Sequence, residues 1–127
     1  MDVPAPTGIA APAQGVCDRV AAALPATLGD RLARRPVTGS AQLTAAWGDP
    51  AVTLVCAGAV ADPAAEQVQL GPPEGGLATF AIDDVGAATA FTTVGLSVPV
   101  TITVPDAYDS TLLVPVAGVL LRLDPPA

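Results

Sequence analysis

The stretch LTAAWGDPAVTLVC, residues 43–56, holds the chain's only tryptophan, a Gly-Asp-Pro sequence and one of its two cysteines. Glycine and proline together punctuate a chain, so Gly48-Asp49-Pro50 is read as a turn. Beyond it Val52, Leu54 and Cys56 recur with period two, the mark of a strand over residues 51–56 with one apolar face. Everything upstream reads as a helix and connector delivered to this strand, and everything downstream as sheet built beside it. The expected fold is therefore α+β: a four- to five-stranded, mainly antiparallel sheet with an N-terminal helix and a C-terminal helix packed on one face. Separated elements with hairpin-length loops, rather than alternating strand and helix, carry that reading.

Upstream, residues 1–12 form a linker rich in Pro and Ala, and residues 13–124 are read as a single domain. Cys17, Val20, Ala21 and Leu24 share one face at helical spacing. Pro12 suits a first helical turn and Pro25 ends the helix near Leu24. Residues 27–34 are read as a further short turn of helix, followed by an extended segment at Arg35-Pro36. Downstream, residues 57–76 are read mostly as loop, with strands at 77–82, 88–94 and 98–104. The first two of these form a hairpin around Asp83-Asp84-Val85-Gly86-Ala87, and Pro99 marks an edge or a strand start. Over residues 110–123, Leu112, Val116, Val119, Leu120 and Leu123 fit a helical stripe capped by Asp109 or Ser110. Pro115 and Gly118 weaken that helix, and the same apolar run suits a buried strand. The helix, starting late or kinked at Pro115, is the preferred reading.

A chain of 127 residues is long enough for one core. With 51% hydrophobic and only 13% charged residues it is not disordered through excess charge. Only Trp47, Phe80, Phe91 and Tyr108 are aromatic, so the core must be built from small aliphatic groups. The net charge of −7 disfavours phosphate backbones and anionic lipid surfaces, so neither nucleic acid nor a membrane surface is expected as a partner. No apolar run is long enough to insert directly into a bilayer, and Met1-Asp2-Val3-Pro4 lacks the basic start of a signal peptide.

The chemistry is thinner still. The chain has no histidine and no lysine, which removes the commonest general base, the usual zinc ligand, Schiff-base chemistry and the P-loop. No cofactor and no metal are expected. Asp83-Asp84 could hold a cation but reads first as a pair of turn formers. Asp106, Tyr108 and Asp109 gather two carboxylates and a phenol, the residues on which a small carboxylate-dependent hydrolase or isomerase would rest; the simpler reading is a loop and a helix cap. Trp47 could stack on a sugar or a peptide, but a lone tryptophan in so aromatic-poor a chain is better read as the main core plug, burying ~200 Å². Cys17 and Cys56 both lie on expected inward faces at a spacing no CxxC motif allows. Two inert thiols or one disulfide fit equally well.

Cys17, Leu24-Pro25, Arg34-Arg35-Pro36-Val37 and AWGDPAVTLVC at residues 46–56 together resemble an uncharacterised actinobacterial family, domain of unknown function 3515. Phe91-Thr92-Thr93-Val94-Gly95 and VTITVP at residues 100–105 follow the same pattern, so the resemblance covers most of residues 17–105. Members carry an N-terminal signal, lipoprotein or membrane-anchor segment before a Pro/Ala-rich stretch. The resemblance thus implies a domain outside the cytoplasmic membrane, anchored or secreted in its full-length form, with the leader lying outside these residues. Cys17 is not a lipoprotein acylation site, since Val16 precedes it where a small residue is needed. Two positions depart from the family: Leu96 stands where an arginine is usual, and Phe80 where a tryptophan is common. The family brings no established activity. What it implies is an oxidising compartment, and there a Cys17–Cys56 disulfide is expected. The functional expectation is a non-catalytic envelope module that binds a protein, peptide or cell-wall component.

Overall fold

The computed structural model describes residues 9–28, 32–37, 43–48, 50–58, 60–62, 64–71, 76–96 and 98–123. Helix α1 (Ala11–Ala23) is followed by eight strands: β1 (Thr27–Leu28), β2 (Leu32–Arg35), β3 (Thr44–Trp47), β4 (Val52–Cys56), β5 (Gln67–Leu70), β6 (Ala78–Asp84), β7 (Ala88–Val94) and β8 (Val100–Pro105). A 3-10 turn (Ser110–Leu113) then leads into α2 (Val114–Leu123). All eight strands join one sheet in the order β1-β2-β3-β4-β8-β7-β6-β5, and each neighbouring pair is antiparallel. The sheet is thus two meanders, β1 to β4 and β5 to β8, joined through β4 and β8. The α+β class and both helices stand, but the sheet has eight strands where four to five were expected.

The four additional strands, β1, β2, β3 and β5, have identifiable causes. Residues 27–28 and 32–35 are strands rather than helix because Pro36 holds Arg35 extended and the edge of β3 is open to pairing. Pairing with β3 supplies the backbone bonds instead, with Arg34 opposite Trp47 and Arg35 opposite Ala46. Leu28 of β1, opposite Leu32, is fully buried. In β3 all four residues are buried, so the sequence shows no alternation there. Strand β5 alternates cleanly, but four residues between loops is a weak signal.

One face of the sheet carries the core. Ala45, Trp47, Val52, Leu54, Cys56, Val100, Ile102, Phe91 and Phe80 point to it, and Cys17 and Val20 of α1 pack there with Val116, Ala117 and Leu120 of α2. Phe80 and Phe91 meet edge to face with centroids 6.4 Å apart. Helix α1 starts with Pro12 in its first turn and no side-chain cap, and ends where Leu24 turns extended before Pro25. Asp109 caps the C-terminal helical segment by accepting from the Thr111 amide at 3.0 Å. Pro115 falls in the first turn of α2, where its missing N–H costs nothing. Pro99 immediately precedes β8, which lies between β4 and β7, so it marks a strand start and not an edge.

The opposite face is lined by Thr53, Val55, Thr101, Thr103, Thr92, Ala90, Ala81, Gln67 and Gln69, as the strand registers require. Since β4 is central and β5 is the far edge, the connection between them must pass β8, β7 and β6, and its described residues Val60, Ala61, Asp62 and Ala65 lie over this face. Ala57 opens the crossing in a left-handed conformation (φ 63°), its amide donating to Pro99 at 2.8 Å. Asp62 shapes a turn by accepting from the Ala64 amide at 2.9 Å. Within residues 60–66 the described side chains flank the threonine face.

Candidate functional site

Two of the residues singled out by sequence are joined covalently. Cys17 and Cys56 form a disulfide between α1 and β4 with Cα atoms 5.8 Å apart, and both are buried. The bridge contributes to the fold and offers no free thiol.

Trp47 is fully buried. Its indole N–H donates to the Pro25 carbonyl at 3.0 Å, and the Arg34 guanidinium carbon lies 5.5 Å from the ring centroid. The ring therefore ties β3 to the exit of α1 and to β2, and no open face remains to stack on a sugar. Gly48 follows β3 at φ 73°, the left-handed conformation that favours glycine, and a methyl group on it would have to displace the end of the Leu32 side chain.

Asp106, Tyr108 and Asp109 do not converge. The Tyr108 hydroxyl donates to the Pro50 carbonyl at 2.8 Å, Asp109 is the helix cap, and Asp106 is exposed. Asp83 and Asp84 are the last residues of β6 rather than the turn itself, and Asp84 accepts from the Gly86 amide at 3.1 Å. Among the described residues no group of three His, Cys, Asp or Glu side chains could hold a metal ion.

What sequence reasoning missed is the surface beside the crossing segment. Val60, Ala61 and Asp62 share a cleft of about 350 Å³ with Gln67, Val94, Leu96 and Pro99. On the other side the same three residues form a second cleft of about 350 Å³ over Ala81, Asp83, Ala90, Thr92 and Thr101. Its polar lining is hydroxyl and carboxylate, and the Thr92 and Thr101 hydroxyls are bonded to each other at 2.9 Å. Such a set forms hydrogen bonds readily but does not place a base against a nucleophile. The signal that could have found this face was the threonine spacing at 92, 101 and 103, opposite the apolar set.

The clefts run toward β5, the last strand of the sheet. The Ile82 amide donates to Glu66 at 2.8 Å, which fixes the ladder parity: pairs 66/82, 68/80 and 70/78 exchange bonds. Gln67 and Gln69 therefore direct their backbone N–H and C=O groups outward, and no described strand meets them. Val68 and Leu70 lean toward the core face, while Gln67 and Gln69 lie on the threonine face. A scan against protein-family models and searches of curated proteins and of solved structures find no match to this chain.

Proposed function

We propose that this chain is a non-catalytic domain of the cell envelope, anchored or secreted, that binds a protein, peptide or cell-wall component. The carrying observation is the unpaired edge of β5: exposed backbone groups at Gln67 and Gln69 are a template for strand addition, a common mode of peptide recognition. The Cys17–Cys56 disulfide supports an oxidising compartment. No described helix is long and apolar enough to cross a membrane, so anchoring would rest on a segment other than these. The same proposal assigns the chain to the family of domain of unknown function 3515, on the residues around Trp47. A carboxylate-dependent hydrolase or isomerase is the poorer reading, because Asp106 and Asp109 are exposed and Tyr108 is engaged with Pro50.

The test is retention of an envelope component by the immobilised, oxidised domain, followed by calorimetry with the purified component. Trp47→Ala is unsuited as a control, since that side chain sits in the core; the reduced and alkylated, unfolded domain serves instead. Retention by the folded domain alone is expected. Equal retention by both forms, or by neither, overturns the reading.

A further inference from the structure

The charges around the sheet are segregated. From Pro36 to Leu121 every charged residue is acidic, and the arginines lie at positions 19, 31, 34, 35 and 122. Arg34 and Arg35 are in β2, near the opposite end of the strand order from β5. Beside β5 stand Glu66, directly before its first residue, and Asp62 and Asp83, which line one cleft on the threonine face. Apart from its shortness, the edge carries none of the devices that discourage pairing: it has no proline, no lysine or arginine, and a clean register with β6 across all four residues.

We infer that the free edge of β5 receives an extended cationic segment of another protein, in which basic and apolar residues alternate. This rests on the binding-module reading above and names the partner chemistry of that same edge. A ninth strand would bond to the outward groups of Gln67 and Gln69. Period-two geometry then sends its alternate side chains to opposite faces. On the core face they lie beside Val68 and Leu70, which are partly buried and apolar. On the other face they lie beside Gln67 and Gln69, within the field of Asp62 and Asp83. Apolar residues suit the first environment and Lys or Arg the second. A second copy of this chain fits less well, because two-fold pairing of β5 brings both sets of these carboxylates to one interface, on chains that each carry −7.

The probe is the peptide acetyl-(Lys-Val)3-amide, with acetyl-(Glu-Val)3-amide as its charge-reversed counterpart, titrated into the oxidised 127-residue domain and followed by amide NMR. The lysine peptide is expected to protect the Gln67 and Gln69 amides from exchange and to weaken as salt is raised; the glutamate peptide should bind at least about tenfold more weakly. Gln69→Pro removes an outward N–H and leaves the β5–β6 backbone ladder intact, losing besides only the exposed Gln69–Thr79 side-chain bond, so it should abolish binding with little change in melting temperature. Asp83→Lys should reduce affinity by about threefold, the scale of one exposed ion pair. Equal binding of the two peptides, undiminished binding to Gln69→Pro, or a dimer formed through β5 in place of the complex overturns the inference. If an envelope component is retained equally by wild type and Gln69→Pro, the edge assignment fails while the binding-module reading stands. If the lysine peptide binds as described but no envelope component is retained, the reverse holds.

Discussion

Trp47 donates its indole hydrogen to the carbonyl of Pro25, 22 residues earlier, across a 3.0 Å bond in the interior of the molecule. The end of α1 is thereby fastened to β3 at the point where β2 also pairs. Trp47→Phe keeps most of the apolar surface but leaves the Pro25 carbonyl unpaired and a partial cavity; a loss of about 2–4 kcal/mol is expected. Urea unfolding followed by circular dichroism gives the number. A loss under 1 kcal/mol would mean that the indole N–H contributes nothing (about the net worth of one hydrogen bond).

The disulfide closes a segment of 39 residues, for which the chain-entropy model gives about 4 kcal/mol. Replacing Cys17 and Cys56 together by alanine should lower the melting temperature by roughly 10–20 °C. Calorimetry on the oxidised, reduced and double-alanine forms checks it. Identical melting curves would remove the stabilising role while leaving the bond itself untouched.

Thr93 is a buried hydroxyl on the core face of β7. Its Oγ accepts from the Val100 amide at 2.9 Å, where the ladder would otherwise use a backbone carbonyl. Thr93→Val has nearly the same shape and leaves that amide without a partner, so it should destabilise by about 1–3 kcal/mol. Thr101→Val, on the partly exposed threonine face, should cost less, because water can replace its bond to Thr92. An equal loss at both positions would contradict this account of Thr93.

Tyr108→Phe tests the loop that first looked like a catalytic candidate. Its hydroxyl bond to Pro50 joins segments 58 residues apart near the surface. Removing it should cost about 0.5–1.5 kcal/mol and leave affinity for the lysine peptide unchanged. Loss of binding at intact stability would move the functional site from β5 to this loop.

Much of this architecture was legible where residue type and period agree. The turn at Gly48, the β6–β7 hairpin, the core face of β8 and the Asp109 cap follow from patterns that local geometry enforces. Residues 27–34 read as helix because leucine, alanine and arginine favour helix locally, while the strand pairing of β1 and β2 is a tertiary effect. In β3, small side chains are buried on both faces, and burial without alternation has no periodic signature. The clefts were invisible because Asp62 and Thr101 meet only through a crossing segment whose path depends on strand order. Asp106, Tyr108 and Asp109 are close in sequence, but their bonds lead in different directions.

Strand order also sets a sequence of assembly. Both halves of the Cys17–Cys56 bridge precede Gln67, the first residue of β5. As the chain is made from its N-terminus, the first meander and α1 can therefore be cross-linked before the second meander exists. The β4–β8 ladder, by contrast, joins residues such as Thr53 and Thr103 and must wait for nearly the whole chain. Local hairpins close faster than such distant pairs. Pulse-labelled refolding of the oxidised protein should thus protect β3 and β6 amides before those shared by β4 and β8; simultaneous protection would refute that order. Until the seam closes, the two meanders present four raw edges, at β1, β4, β5 and β8; closure pairs β4 with β8 and leaves β1 and β5 as the ends of the sheet.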